Sequence, residues 1–271
     1  MRQLLARTIA LLLLCGFTIG PALADQIPDK LIRAELRPGW QTPQGTYMAA
    51  LQLTMAPGWK TYWRAPGDAG IPPEFTWKGS DNIGAVAFHW PRPEVVDVGG
   101  YRTIAYRDML ILPIEVAPKD PAKPISVKAT VDLGVCKEVC VPASVTIAAE
   151  LSGKGAPDTE IEAALRNQAQ SSAALGLAPP ECNIDPIRDG LRLTLNLSVP
   201  HASAEDLVVV ELSGTKVWAS SVETAAGNGT LTQVTDLVPG NARPFALERS
   251  SLVTTVFTAK GAVIEYSGCK S

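Results

Sequence analysis

Cys136 and Cys140 are separated by three residues, and that spacing limits the path of the backbone more than any other feature of the chain. On a straight strand four steps hold the Cα atoms roughly 13 Å apart, whereas a disulfide needs about 4.4–6.8 Å. A bond between them therefore demands a chain reversal or one helical turn within Leu133-Gly134-Val135-Cys136-Lys137-Glu138-Val139-Cys140-Val141-Pro142. Gly134 and Pro142 bracket a segment able to supply it.

Whether such a bond persists depends on the compartment. Residues 1–24 run from a charged start (Arg2, Arg7) through an apolar stretch to Ala22-Leu23-Ala24, the order of a cleaved secretory signal. Export to the periplasm is the expectation, with Asp25 as the new N-terminus. A lipoprotein would need Cys15 as its acylated residue, but Leu14 before it is too large. No later segment holds the roughly 18 apolar residues of a membrane helix, so no membrane span is expected in the mature chain. A net charge of −3 with no basic stripe argues against nucleic-acid binding.

Of five cysteines, the signal takes Cys15 and leaves Cys136, Cys140, Cys182 and Cys269. Four cysteines allow three connectivities. In the chain-entropy model, closing the short loop contributes about 2 kcal/mol, and closing Cys182 to Cys269 roughly 4.5 kcal/mol. The distant pair is then the structural one, and the short-loop bond is the better candidate for being made and broken reversibly.

Twenty-two Pro, twenty-two Gly and short runs rich in Val, Thr and Leu favour a turn-rich all-β protein. Strands are expected at 46–55, 109–116, 125–133 and 144–151. They form a first domain over residues 25–152. At 153–180 the composition shifts to a linker, with a Thr159–Glu162 capping box opening a helix of three to four turns. From 181 to 271 a second domain begins with Leu191, Leu193, Leu195, Leu197 and Val199 at period two. Further strands are expected at 207–212, 216–222, 230–234, 252–258 and 262–266. Two immunoglobulin-like β-sandwich domains joined by a short helical linker fit this order.

Lys137 favours a thiolate at its neighbour Cys136 while Glu138 opposes it, so the nucleophile is open. Thiolates also bind soft metals, but His89 and His201 are the only histidines and neither lies at ligand spacing. No metal or cofactor is expected, and a Cys-His hydrolase has no further signal. The stretch 57–73 is dense in aromatic residues, Gly and Pro. Trp59 and Trp63 are expected to fill core, and Asp68 to stand in the wall of the cysteine site. The rival to thiol chemistry is a non-catalytic binding module with both bridges structural.

The segment Gly58-Trp59-Lys60-Thr61-Tyr62-Trp63, a strand from Tyr106 to Ile114, and the cysteine pair followed by Val141-Pro142 resemble the N-terminal periplasmic domain of the DsbD family, especially its copper-sensitivity-suppressor branch, ScsB. The resemblance covers about 31–151. It implies an immunoglobulin-like domain relaying electrons through Cys136 and Cys140. It also implies a cap over the pair, which falls here on 97–101, with Tyr101 as its aromatic residue and Asp97, Tyr101 and Tyr106 expected in the wall or cap of the site. Better-known members space their cysteines by five residues and continue into membrane and thioredoxin-like domains. The expected partners are therefore a separate membrane-embedded thiol carrier, DsbD- or CcdA-like, as donor and a periplasmic thioredoxin-like or peroxiredoxin-like acceptor.

Overall fold

Alternation of apolar and polar side chains becomes strand wherever one face can be buried, and 125–135 is the clearest case. Ile125, Val127, Ala129, Val131, Leu133 and Val135 are all buried while Ser126, Lys128 and Asp132 are exposed. Each Ile, Val or Leu among them stabilises the sandwich by about 1.5–3 kcal/mol. The computed structural model describes residues 31–67, 69–98 and 100–270; the expected signal, Cys15 and Asp68 lie outside them.

Ten strands come first: β1 (Ile32–Gln41), β2 (Tyr47–Met55), β3 (Lys60–Gly67), β4 (Glu74–Thr76), β5 (Ile83–Phe88), β6 (Glu94–Val98), β7 (Tyr101–Arg107), β8 (Met109–Pro118), β9 (Ile125–Cys136) and β10 (Cys140–Leu151). A helix, α1 (Thr159–Arg166), precedes β11 (Gln170–Ser171), β12 (Glu181–Ile187), β13 (Gly190–Ser198), β14 (Leu207–Leu212), β15 (Trp218–Gly227), β16 (Thr230–Val238), β17 (Leu252–Phe257) and β18 (Val263–Ser267). The architecture is all-β. In the first sandwich the sheet β1-β2-β8-β5 faces the sheet β10-β9-β3-β7-β6, with β4 added against β9. In the second, β11-β18-β17-β14 faces β12-β13-β16-β15, around Leu191, Leu193, Leu195 and Leu197.

Among the described residues no helix is long and apolar enough to cross a membrane. The expected strand from Tyr106 to Ile114 is two strands in different sheets, because the chain turns at Asp108 with φ 63°. That corner is held on three sides: the Asp108 carbonyl accepts from Met55 N, its N–H donates to Trp59 O, and its carboxylate accepts from Gly58 N at 2.6 Å.

The helix is shorter than expected, eight residues, and its N-cap is Asp158 rather than Thr159. Asp158 Oδ1 accepts from the amides of Glu160 (2.9 Å) and Ile161 (3.1 Å), and Arg37 donates to Oδ2 at 2.7 Å. An aspartate in extended backbone reaches those orphan amides directly, which displaces the predicted box by one residue. The apolar face of α1, Ile161 and Ala164, then packs on Met48, Ala50 and Ile111 of the first sandwich. Burial alone would raise the Asp158 pKa, but the Arg37 bond and the Ile161 and Glu160 amides hold it below the ordinary value. Asp158→Ala is expected to cost about 1–2 kcal/mol. Because the folded-state pKa is depressed, that contribution is present above the unfolded Asp value and lost as pH falls through the folded one. Urea melts of both proteins across that acid range should converge; a gap that persists would refute the assignment.

The two sandwiches share apolar contacts. Phe257 and Val263 of the second join the first sandwich's core, and Trp63 meets Phe257 edge to face at 5.5 Å.

Candidate functional site

The reversal demanded by the cysteine spacing is a β-hairpin. β9 and β10 pair antiparallel with Cys136 directly opposite Cys140, and Lys137, Glu138 and Val139 form the loop. The Cα atoms stand 4.1 Å apart and the sulfurs are bonded. Cys182 and Cys269 form the second disulfide, with Cα atoms 5.8 Å apart.

The two sulfurs of the hairpin differ in access. Cys136 is 1% exposed, whereas Cys140 and the loop beside it are exposed. The cause lies in the strand. Along most of β9 only the inner face is buried, but from Leu133 onward every residue to Cys136 is covered. On the outer face Cys136 packs with Tyr62 and Ala105, and Val96 closes over them from β6. At Gly134 there is no room for a side chain: a Cβ there would come within 2.8 Å of Ile71 Cβ. Ile71 thus overlies the strand two residues before the cysteine.

Period two along β3 places Lys60 and Tyr62 on this outer face and Thr61 and Trp63 on the inner one. Lys60 is the register partner of Cys136 and is 5% exposed. Burial lowers its pKa, and the neighbouring Arg107 lowers it further while Glu138 acts the other way. Arg107 is opposite Lys60 on β7, one strand further from Cys136, and pairs with Glu94 at 3.8 Å. The Tyr62 hydroxyl lies 3.4 Å from Cys140 Sγ; with that sulfur in a disulfide, only the hydroxyl has a proton to donate. Burial raises the Tyr62 pKa, which keeps the phenol protonated and able to donate. Thr61 Oγ1 donates to Gly134 O at 3.0 Å and locks β3 to the end of β9.

The other expected site residues are placed as follows. Asp97 shapes the turn of the β6–β7 hairpin, where its carboxylate accepts from Gly100 N at 3.1 Å. Tyr101, expected as a lid, is 59% exposed, and the residues of that hairpin in the cysteine cluster are Ala105 and, partly buried, Val96. Tyr106, expected near the site, sits on the opposite face of the sheet. It is 7% exposed in the core, stacked on Trp90 and donating to Pro91 O at 2.7 Å. Trp63 is core, 2% exposed, and Trp59 packs partly buried against the same cluster. Lys137, expected to act on Cys136, instead lays its stem on Gly58 and directs its ammonium to Pro57 O at 3.4 Å.

Lys60 and Tyr62 were missed by sequence reasoning. The signal available was their shared parity in Gly58-Trp59-Lys60-Thr61-Tyr62-Trp63; what it lacked was which strand they pair with. Among the described residues, no group of three or more His, Cys, Asp or Glu side chains is placed to hold a metal ion.

Residues 31–152 match the family model described as thiol:disulfide interchange protein DsbD, N-terminal. The whole chain is similar in structure to the N-terminal periplasmic domain of ScsB from Proteus mirabilis, with a TM-score of 0.59 and 20% sequence identity over 91% of this chain and 97% of that one. At that identity the likeness speaks for the fold. No curated protein matches the chain.

Proposed function

We propose that this chain, whose residues 31–152 match the DsbD N-terminal family model, works in the periplasm by passing reducing equivalents between thiol–disulfide partners through Cys136 and Cys140. The observation that carries the reading is the asymmetry of the pair: an exposed residue, Cys140, bonded to a buried one, Cys136, at the tip of a hairpin. The secretory-type N-terminus and the periplasmic origin of the structural relative support the location.

An incoming sulfur reaches Cys140 first. In the reducing half, a thiolate of the donor attacks Cys140 Sγ, forming a mixed disulfide, and the bonding pair leaves with Cys136 as thiolate. Lys60, the register partner of Cys136, is the cationic side chain nearest in the ladder to that leaving sulfur, and a protonated Lys60 favours its release. The donor's second thiol then attacks its own bonded sulfur, closing the donor's disulfide and releasing Cys140. Two electrons and two protons have moved to the pair. In the second half Cys140, held by the Tyr62 hydroxyl, attacks the acceptor's disulfide, and Cys136 resolves the mixed species by attacking Cys140 Sγ. A membrane-embedded thiol carrier of DsbD or CcdA type fits the donor role, and a thioredoxin-like or peroxiredoxin-like periplasmic protein the acceptor role.

A redox titration tests this. Equilibrated against dithiothreitol buffers and mass-tagged, the Cys136–Cys140 couple is expected above about −300 mV and the Cys182–Cys269 couple below it. A value for the hairpin bond below that limit would make it a permanent staple and favour a non-catalytic binding module.

A further inference from the structure

Beyond Tyr62, β3 leaves its ladder: its register against β7 breaks between Tyr62 and Gly67. A strand segment without regular partners must be held by other contacts. Here they come from the second sandwich. Trp63 stacks edge to face on Phe257 of β17. The Arg64 guanidinium lies over the Trp63 ring, 4.2 Å from its centroid. Arg64 donates through Nε to both carboxylate oxygens of Glu211 on β14, at 3.1 Å each, and through Nη2 to Glu265 on β18 at 2.7 Å. Planar, charge-assisted and half-buried, this network has a defined geometry that a lone surface pair lacks.

The same stretch of chain borders the cysteine site, against Tyr62 and against the end of β9. Gly70 fits against Tyr62 and Pro66 with no space for a side chain, and Ile71 overlies Gly134. Two exposed contacts at the rim also join this region to the second sandwich, each weak by comparison with the Arg64 network. Glu74, just past Ile71, pairs with Lys216 at 3.2 Å, and Arg102 of β7 donates to Glu205 O at 3.2 Å.

We propose that the second sandwich braces the cover of the redox pair, with Arg64 as the positioning residue: by clamping β3 to β14 and β18 it sets how readily a thiol reaches the Cys136–Cys140 bond. Arg64 touches neither sulfur and acts through β3 and the Gly70–Ile71 contact. Without Arg64, Glu211 and Glu265 face each other as like charges, and the interface that holds Trp63 opens. This rests on reading Cys136–Cys140 as the exchange pair.

The test is the rate at which dithiothreitol opens each disulfide in the oxidised full chain, followed by alkylation and peptide mass spectrometry; the reagent is oxidised to its cyclic disulfide as two protein thiols form. Arg64→Gln is expected to open Cys136–Cys140 at least about threefold faster through local loosening. Arg64→Lys, which keeps the charge but not the planar fork, should give a rate between those of the wild type and Arg64→Gln, and Cys182–Cys269 should keep its own. Should Arg64→Gln fail to fold, Glu265→Gln, which removes one of the two carboxylates from the clamp, should show a smaller rise in the same direction. Unchanged hairpin rates in the glutamine variants, or an equal acceleration of both disulfides, would overturn the brace. Opening of Cys182–Cys269 first in the wild type would instead overturn the assignment of the exchange pair.

Discussion

Cys136→Ala is expected to accumulate a mixed disulfide with a partner protein through Cys140 when expressed in a periplasm, and to lose turnover of any protein disulfide altogether. The argument is one of access and of order. Cys140 is the exposed sulfur, so the bond to a partner forms there, while Cys136, at 1% exposure, is the sulfur that resolves it. Removing the resolving sulfur stops exchange at its intermediate. The reciprocal Cys140→Ala leaves only a thiol behind Tyr62, Ala105 and Val96, and should trap at least roughly tenfold less adduct, because the attacking sulfur must be reached by a bulky partner. Non-reducing electrophoresis and mass spectrometry of the adducts read both outcomes. Equal trapping by the two variants would remove the asymmetry on which the proposed order of attack rests, and trapping by neither would remove the relay.

The second large effect belongs to the other disulfide. Cys182 lies on β12, and Cys269 follows β18, so their bond joins the two sheets of the second sandwich. Around it the Cys182 amide donates to Lys270 O at 2.7 Å and the Lys270 amide to Pro180 O at 2.9 Å. For cysteines 87 residues apart, the loop-closure model assigns about 4.5 kcal/mol. The double variant Cys182→Ala, Cys269→Ala is expected to lose most of that in urea unfolding, a large share of what a domain of this kind possesses. Because Phe257 and Val263 of this sandwich also pack in the first core, the first sandwich should lose stability with it. A loss under about 1 kcal/mol would mean that backbone pairing alone holds the termini of the second sandwich.

Several parts of this molecule could be read before any coordinates. Leu191, Leu193, Leu195 and Leu197 announce β13 by alternation, and all four are buried. The strands β2, β8, β9 and β14 fall close to where the pattern put them. β3 was not legible, because Lys60, Thr61, Tyr62 and Trp63 are all buried, and a strand covered on both faces shows no polar–apolar alternation. β1 was hidden by Pro38 and Gly39, which break the pattern, and the chain shifts register there. The strand from Tyr106 to Ile114 was read as one element because nothing in a linear pattern marks a corner at Asp108; its positive φ is sustained by contacts with Met55, Trp59 and Gly58, far away in sequence.

The site divides along the same line. By itself the sequence determined that Cys136 and Cys140, if bonded, sit at a chain reversal or a helical turn, since on a straight strand their sulfurs stand too far apart, and that period-two strands lie nearby. Only the tertiary structure decided that Lys60 stands across from Cys136, that Tyr62 reaches Cys140, that Tyr106 turns away into the core, and that Arg64 reaches the second sandwich. The physical reason is that a strand's alternation states which residues share a face but not which strands lie beside them. Access to a sulfur, and the charges around it, belong to those neighbours.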